Sequence, residues 1–302
     1  MERPAVSVII VTWNAGDVLG DCLDSLRRQR IERGFETIVV DSGSTDDTAE
    51  LLRSREDVVT LSKRENVGFS RGNNEAAEVA RGEVLFFLNS DTVLLDEDVL
   101  ETLARVATAP GVGLVGPRLE NPDGSLQPSC AGHLGVGRAL LLASGVHHLL
   151  PDRVLARAVP ERWSHDHARD TGWLMGAAIA TRADVFAQAG GFWPTMYAED
   201  TDLAHRLQRR GLRVRYEPSV RVMHIGNHSL ARRWDPAQRA ARVASAELAF
   251  LRTHLGRPRR AATRSIMFAS SALRSVLHRC LGNEERAAVH RAMARVYGGA
   301  DR

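Results

Sequence analysis

Polar side chains that can bind ligands follow each of four short apolar segments in the first 90 residues. In chain order they are Thr12, Trp13 and Asn14 after the first segment, Asp41 after the second, Asn66 and Arg71 after the third, and Asn89 and Asp91 after the fourth. If only one apolar segment ended in polar residues, a turn would explain them, because Asp, Asn, Ser and Gly are common in turns. Four such ends in succession favour a ligand site.

The residue types at these ends suit a nucleoside diphosphate. The Asp41 carboxylate can accept a hydrogen bond from a pyrimidine N3–H, and Trp13 offers an apolar face to the base. Arg71 can donate two hydrogen bonds to phosphate oxygens. Asp91 can bind a divalent cation that neutralises a diphosphate. Other nucleotide motifs are missing: no GxGxxG follows the first segment, and the chain has no GxxxxGK[ST].

Strand and helix patterns alternate through the first 120 residues. Apolar, β-branched runs predict strands over 6–11, 37–40, 58–61, 84–88 and 113–119, with helices over 44–53, 70–80 and 96–107 between them. The spacing of Ser44 and Asp47 predicts a capping box, and Gly82 fits the position after a helix end. This alternation predicts an α/β fold with a mostly parallel sheet, and ligands then bind beyond the carboxyl ends of its strands.

The second half is less regular until residue 174. Patterns there predict a strand over 174–181, a short helix over 184–189 and a Gly-rich loop over 190–198. A helix over 200–210 and two strands, 214–216 and 220–224, follow. Residues 236–297 are helical and basic, with breaks at 256–258 and 282.

Composition and charge narrow the class of protein. The chain has 302 residues, of which 44% are hydrophobic and 25% charged, which excludes disordered and collagen-like classes. Its three cysteines are far apart, so we expect no disulfide framework and a reducing compartment. No signal peptide is evident. Residues 251–302 hold 11 arginines against three acidic residues, a net charge of +8; because the whole chain carries +3, the first 250 residues carry −5.

Five segments together resemble glycosyltransferase family 2, and within it the rhamnosyltransferase-like enzymes of bacterial cell-wall and polysaccharide assembly. They are VSVIIVTWN at 6–14, VVDSGSTDDT at 39–48, NVGFSRGNN at 66–74, LFFLNSD at 85–91 and GFWPTMYAEDTDL at 191–203. The resemblance implies a GT-A fold and an inverting transfer from a nucleotide-diphosphate sugar. It implies a nucleotide-sugar-binding half over 1–120 and an acceptor-binding and catalytic half over 121–230. Residues 231–302 then form a basic helical C-terminal extension.

The resemblance also implies roles for three residues. Asn89-Ser90-Asp91 stands in the place of the family's DxD metal motif, and its Asn leaves Asp91 as the main carboxylate ligand. Asp200 matches the catalytic base, and His224 lies where related enzymes have a histidine near the metal and diphosphate. The cofactor expected is Mn²⁺ or Mg²⁺, of which Mn²⁺ accepts imidazole more readily. The alternatives are structural: Asp200 or Thr201 caps a helix while Asp202 faces solvent, and His224 only packs.

The resemblance implies two partners, a nucleotide-diphosphate sugar as donor and a glycan or polyprenyl-linked acceptor. The first choice of donor is dTDP-rhamnose. We expect a cytoplasmic protein, peripheral on the inner face of the plasma membrane if its basic C-terminal helices contact anionic lipid. The alternative is that these helices pack on the catalytic part of the protein. Nucleic acid is not expected, because no base-reading motif is present.

Two other functions stay open, a sugar nucleotidyltransferase and a non-catalytic nucleotide-sugar-binding protein. The first should have a Gly-rich, Arg-containing loop after the first strand, which this chain lacks.

Overall fold

A computed structural model describes residues 3–146, 164–194, 198–226 and 234–299. These residues divide into two compact units. The first unit lies within Met1–Ala131, Ser164–Pro194 and Glu199–Ser229, and the second within Gly132–Trp163, Thr195–Ala198 and Leu230–Arg302. All of the predicted site residues belong to the first unit.

The elements of the described residues are numbered in chain order. The strands are β1 Val6–Thr12, β2 Phe35–Asp41, β3 Val58–Ser62, β4 Val84–Asn89, β5 Thr92–Leu94, β6 Val112–Glu120, β7 Leu126–Gln127, β8 Cys130–Ala131, β9 Arg169–Asp170, β10 Trp173–Leu174, β11 Ala178–Arg182 and β12 Arg213–His224. The helices are α1 Leu19–Arg27, α2 Thr48–Arg53, α3 Phe69–Val79, α4 Val99–Ala107, α5 Val136–Ser144, α6 Ala183–Ala189, α7 Glu199–Arg209, α8 Pro236–His254, α9 Arg257–Cys280 and α10 Glu284–Gly298.

The main sheet of the first unit has the strand order β3-β2-β1-β4-β11-β6-β12-β5. Its first four strands are mutually parallel, β11 is antiparallel to β4 and β6, and β5 is antiparallel to β12. Consecutive residues of β1, such as Val8, Ile9 and Ile10, are all fully buried, because helices cover both faces of a parallel sheet. The predicted α/β fold with a mostly parallel sheet is confirmed.

The register of the parallel strands brings their polar ends level. Thr12 on β1 pairs with Asp41 on β2, and Val11 pairs with Asn89 on β4. At the far side of the sheet, His224 ends β12 opposite Thr92 on β5. The carboxyl ends of these strands therefore form one edge, as the alternation of strands and helices predicts.

Two local predictions about helix ends are wrong. The helix α2 begins at Thr48 without a capping box, because the Ser44 hydroxyl instead accepts the Asn14 N–H at 2.9 Å. The helix α3 ends at Val79 and the next residue, Ala80, has extended backbone, so Gly82 does not follow a left-handed helix end. A Cβ on Gly82 would lie 2.3 Å from the Ser7 backbone nitrogen, so this glycine is required by its close approach to β1.

Two strand predictions need adjustment, and the short strand β5 is not predicted by the sequence. The strand expected over 174–181 is interrupted at Met175–Ala177, which separates β10 from β11. The two strands expected over 214–216 and 220–224 are one strand, β12, with an irregularity between Glu217 and Arg221. The three-residue β5 is too short for its pattern to be seen in the sequence.

The helices α5 and α8–α10 make up the described secondary structure of the second unit. The break predicted at 256–258 lies at the junction of α8 and α9, which begins at Arg257, and the break at 282 lies between α9 and α10. Leu248, Leu251 and Tyr297 form part of a small apolar core. No helix in the four described ranges is both long and apolar enough to cross a bilayer.

Candidate active site

The loops after β1 and β2 are tied together by side-chain hydrogen bonds. Asn14 has a positive φ of 50°, which asparagine tolerates better than most residues, and its Oδ1 accepts the Thr45 N–H at 2.7 Å. The buried Asp41 carboxylate accepts the Ser44 N–H at 3.0 Å through Oδ1. Asn14 and Asp41 thereby fix the loop 42–45, which lies at the carboxyl edge of the sheet.

Thr12 stands at the end of β1 with only 1% of its surface exposed. Within the part of the chain that the structure describes, its Oγ1 finds no hydrogen-bond partner. Buried polar atoms without a partner are rare and costly, so a ligand group bound at this edge would stabilise the hydroxyl. The neighbouring Trp13 side chain is half-buried beside the same edge.

Asn66 and Arg71 lie where β3 leads into α3. The Asn66 Oδ1 accepts the Gly68 N–H at 3.0 Å, which fixes the chain at the start of α3. The exposed Arg71 guanidinium pairs with Glu75 at 2.7 Å, and Lys63 contacts the same carboxylate at 2.5 Å. These two cations hold the pKa of Glu75 below its usual range. Because exposed ion pairs are weak, a phosphate can replace Glu75 as the partner of Arg71.

Asn89, Asp91 and His224 meet at the ends of β4 and β12. The His224 Nε2 lies 3.3 Å from the Asp91 Oδ1 and 3.4 Å from the Asn89 Nδ2. The Asp91 carbonyl accepts the Ile225 N–H at 3.0 Å, so the backbones of the two loops are joined as well. A carboxylate and an imidazole, 133 residues apart, thus lie side by side.

Asp200 lies in the first turn of α7. Its Oδ2 accepts the Gly176 N–H at 2.9 Å, and its Oδ1 accepts the Thr201 N–H at 2.6 Å. Burial raises the pKa of Asp200 despite these hydrogen bonds, which favour the charged form. The contact with Thr201 shows that the carboxylate accepts a backbone donor of the first helical turn, as the structural alternative for Asp200 requires.

Backbone hydrogen bonds link the Asp200 carboxylate to the Asn89–Asp91 segment. The Asn89 N–H donates to the Ala177 carbonyl at 2.8 Å, and the adjacent Gly176 donates to Asp200. Asp200 therefore binds Gly176, and the neighbouring residue, Ala177, binds the end of β4. The structure brings Asp200 and Asp91 to the same edge of the sheet.

Asp202 does not face solvent, which corrects one of the sequence-based alternatives. Its side chain is 2% exposed and pairs with Arg206 at 2.7 Å. The Arg206 guanidinium also donates to the Gly191 carbonyl at 2.6 Å, because the chain doubles back onto α7 there. The Asn74 side chain binds the Phe192 N–H and carbonyl at 2.8 and 2.9 Å. The start of the predicted 190–198 loop is thus held in place, and residues 195–197 of that loop lie outside the described residues.

The donor set near Asp91 fits a divalent cation that is shared with a ligand. A carboxylate oxygen and an imidazole nitrogen, held 3.3 Å apart, are suitable for Mn²⁺ or Mg²⁺. No group of three or more His, Cys, Asp or Glu side chains suitable for a metal occurs among the described residues. Asp91 and His224 are the two side chains that would hold such a cation, and a bound ligand would have to complete the site.

Sequence reasoning missed two residues of this site. Gly176 holds Asp200 through its backbone, so no side chain signals its role. Gln127 lies on the two-residue strand β7 and contacts the His224 Nδ1 at 2.8 Å through Oε1. A glutamine after a turn carries no pattern that predicts this contact.

Two solved structures with a similar fold were determined with a nucleotide sugar bound. The mannosyltransferase PcManGT from Pyrobaculum calidifontis, solved with GDP-Man and Mn²⁺, superposes with a TM-score of 0.62 at 20% identity, over 98% of this chain and 84% of that one. TarS from S. aureus, in complex with UDP-GlcNAc, superposes with a TM-score of 0.54 at 15% identity, over 97% and 90%. These likenesses confirm the predicted GT-A fold.

Sequence comparisons add the family. The family model for glycosyl transferase family 2 matches residues 7–129. An N-acetylglucosaminyl-diphospho-decaprenol L-rhamnosyltransferase from Mycobacterium tuberculosis is 30% identical over 288 residues, 89% of this chain and 91% of the relative. The O-antigen chain rhamnosyltransferase RfbN from Salmonella typhimurium is 27% identical over 74% of this chain and 67% of its own length. The chain belongs to glycosyl transferase family 2 and is a glycosyltransferase, which confirms the resemblance and decides against the two other functions.

Proposed function

We propose that the protein is an inverting, divalent-metal-dependent glycosyltransferase that moves a sugar from a nucleoside diphosphate to an acceptor hydroxyl. The observation that carries this proposal is the common edge of Asp91, His224 and Asp200. The Asn89–Ala177 and Gly176–Asp200 hydrogen bonds, at 2.8 and 2.9 Å, connect the two carboxylates through a short stretch of backbone. A diphosphate site and a base for the acceptor are then on the same side of the sheet.

The donor binds at the ends of β1–β4 in this proposal. Asp41 accepts a hydrogen bond from the base, and Trp13 packs on the base. A polar group of the donor forms a hydrogen bond with the buried Thr12 hydroxyl. Asn14 and Asn66 keep the surrounding loops in shape through the Thr45 and Gly68 N–H groups. Arg71 leaves Glu75 for a phosphate oxygen. We propose the corresponding division of the chain, with the donor bound by residues 1–120 and the acceptor by residues 121–230.

The reaction needs a base that removes the proton of the acceptor hydroxyl as its oxygen attacks the anomeric carbon. Asp200 takes this role, because burial raises its pKa and makes its carboxylate a stronger proton acceptor. The Gly176 and Thr201 N–H groups orient the carboxylate and keep enough of it ionised. The bond between the sugar and the diphosphate breaks as the new glycosidic bond forms, so one carboxylate is sufficient and the configuration inverts.

Asp91 and His224 would hold the divalent metal, and Asn89 lies beside them. The metal supplies positive charge that stabilises the leaving diphosphate. PcManGT, which shares the fold, was solved with Mn²⁺ and a nucleotide sugar. Mn²⁺ and Mg²⁺ are both compatible with one carboxylate and one imidazole ligand.

We propose dTDP-rhamnose as the donor and a polyprenyl-linked glycan of cell-wall or polysaccharide assembly as the acceptor. Support comes from two relatives named as rhamnosyltransferases, one of which acts on a decaprenol-linked diphosphate sugar by its name. The choice of a pyrimidine nucleotide agrees with a buried carboxylate at position 41, which can accept its N3–H.

The test is a donor panel read by product configuration. The purified protein is incubated with Mn²⁺, a polyprenyl-diphosphate-linked N-acetylglucosamine and either dTDP-rhamnose, UDP-GlcNAc or GDP-mannose. NMR coupling constants then give the anomeric configuration of the product. We expect transfer from dTDP-rhamnose with inversion and none after chelation of the metal. Retention of configuration, or full activity without a divalent cation, would refute the mechanism; transfer from another donor would refute only the choice of sugar.

We also propose that the second unit contacts an anionic membrane, on the cytoplasmic side where the acceptor is presented. Leu273, Val276 and Leu277 recur on one face of α9, Leu281 follows its last residue, and all four are exposed, Leu273 by 70% and Leu281 by 71%. Arg279, Arg291 and Arg295 line a shallow groove between α9 and α10 next to Val276. Exposed apolar side chains flanked by arginines are typical of interfacial helices, and their charge is complementary to anionic headgroups.

Vesicle binding of the full chain tests this contact. We expect cosedimentation with phosphatidylglycerol–phosphatidylcholine vesicles at low salt, reduced by 0.5 M NaCl, and loss of most binding in a Leu273→Ser, Leu277→Ser double variant. A control replaces two exposed valines of the first unit, Val59→Ser and Val79→Ser, and should bind like the wild type. Equal binding of the α9 variant and the wild type would rule the surface out.

A further inference from the structure

Among the residues that the structure describes, Gln127 is the side chain that forms a hydrogen bond with the Nδ1 atom of His224. Its Oε1 lies 2.8 Å from that nitrogen, on the side of the ring away from Asp91. An imidazole has two chemically different nitrogens, and the partner of one determines whether the other is a donor or an acceptor. The orientation of the Gln127 amide therefore decides what His224 presents to Asp91.

The orientation of the Gln127 amide is fixed by the backbone carbonyls of Leu126 and His224, the first of which acts through Asn121. The Asn121 Nδ2 donates to the Leu126 carbonyl at 3.4 Å and to the Ser125 Oγ at 2.9 Å, so the Asn121 Oδ1 must face the other way. The Gln127 Nε2 donates to this Oδ1 at 3.0 Å and to the His224 carbonyl at 3.3 Å. Because both of these partners are acceptors, only the Oε1 of Gln127 is left for the imidazole.

We propose that Gln127 is a positioning residue that holds His224 in the Nδ1–H tautomer, with the Nε2 lone pair directed at the metal position beside Asp91. An Oε1 acceptor requires a proton on Nδ1, so neutral His224 has no proton on Nε2. The Asn89 Nδ2 can then donate to Nε2 at 3.4 Å. The 3.3 Å approach of Nε2 to the Asp91 carboxylate brings two electron-pair donors together, an arrangement that a cation between them stabilises.

The backbone around His224 supports the same arrangement. Gly226 has a positive φ of 70°, and a Cβ there would lie 3.4 Å from the Gln127 Nε2 and 3.6 Å from the imidazole ring. The chain thus closes over the Gln127–His224 pair at a position where a side chain would be strained. Since Gln127 and His224 are 97 residues apart, the contact joins two separate strands of the first unit, β7 and β12.

The role in metal binding rests on the proposed function, whereas the tautomer does not, and one NMR experiment separates them. Long-range ¹H–¹⁵N correlations of the histidine rings, with His224 assigned from a His224→Gln variant, report the tautomer without metal. A titration with Mn²⁺ alone then gives the metal affinity from the paramagnetic broadening of the same signals. We expect His224 of the wild type to be the Nδ1–H tautomer and to broaden at the lowest Mn²⁺ concentrations.

Three variants distinguish positioning from general stability. Gln127→Met removes the acceptor and should weaken Mn²⁺ binding about 10–100-fold with a mixed tautomer. Gln127→Glu keeps an acceptor oxygen and should restore the Nδ1–H tautomer and most of the affinity. The control Gln29→Met removes a buried amide that joins Asp96 and Leu100, and should lower stability without changing either NMR readout.

Two results would overturn the positioning role: an Nε2–H tautomer in the wild type, or Mn²⁺ affinity and tautomer unchanged in Gln127→Met. If His224 shows the expected tautomer and loses it in Gln127→Met while the wild type does not bind Mn²⁺, the positioning of the ring stands. The metal dependence of the proposed function is then wrong.

Discussion

Two aspartates of the first unit accept backbone N–H hydrogen bonds, yet their pKa values move in opposite directions. At Asp46, in the loop after β2, partial burial raises the pKa but is outweighed by hydrogen bonds from Thr48 and the Gly16 N–H, so the pKa is lowered. At Asp200, burial outweighs the hydrogen bonds from Gly176 and Thr201, and the pKa is raised. Burial, and not the number of hydrogen bonds, separates a structural carboxylate from one suited to accept a proton.

The largest expected effect is on turnover. Asp200→Asn removes the base and should lower kcat about 10²–10⁴-fold while leaving the dissociation constant of the donor nearly unchanged. Asp46→Asn should lower kcat less than tenfold, because Asp46 only shapes a loop. Asp98→Asn, at the exposed start of α4, is the control with wild-type turnover. Steady-state kinetics and calorimetric donor binding measure both quantities, and near-normal turnover of Asp200→Asn would exclude it as the base.

The second prediction concerns the support of the helix that carries Asp200. Arg206→Met leaves the buried Asp202 carboxylate without its cation, which should lower the free energy of unfolding by about 3 kcal/mol. Arg182→Met, which breaks the exposed pair with Asp184, should cost far less. Urea denaturation of both variants checks the difference. Equal losses would show that the Asp202–Arg206 pair behaves like a surface pair.

The smallest effects have opposite signs at the two aspartates. An aspartate whose pKa is raised in the folded state destabilises the fold as pH rises above about 4, whereas a lowered pKa stabilises it above that pH and the gain is lost on acidification. The Tm of Asp200→Asn relative to the wild type should therefore increase from about pH 4 to about pH 7. The Tm of Asp46→Asn relative to the wild type should decrease from about pH 2 to about pH 4, where the wild type gains the stabilisation from Asp46. Changes of about 2 °C correspond to ~1 kcal/mol. Parallel trends in the two variants, followed by calorimetry, would contradict the comparison.

The donor side of the site could be predicted from the sequence, because it is made of consecutive strand ends. Thr12, Asp41 and Asn89 are each the last residue of a parallel strand, and the sheet register places them level. Order along the chain is therefore a sufficient guide to proximity. The capping box at 44–47 failed because the Ser44 hydroxyl is used by the neighbouring loop, which no local pattern reveals.

The remainder of the site depends on contacts between distant segments. Gly176 reaches Asp200 across 24 residues and Gln127 reaches His224 across 97. Asp202 is acidic in the first turn of a helix, which usually indicates exposure, yet it is buried and pairs with Arg206. The Gly191 carbonyl, from a separate segment, accepts a second hydrogen bond from this guanidinium. Such pairings arise from tertiary packing, and composition or periodicity does not encode them locally.

The central claim is that Asp200 is a base whose proton affinity is increased by burial, and the pH dependence of kcat tests it most directly. For the wild type with saturating donor and acceptor, kcat should rise through a single acidic limb whose apparent pKa lies above about 4, the ordinary value for aspartate. In Asp200→Asn the small residual rate should lack this limb. The same limb in the Asp200→Asn variant, at a kcat close to that of the wild type, would contradict the account.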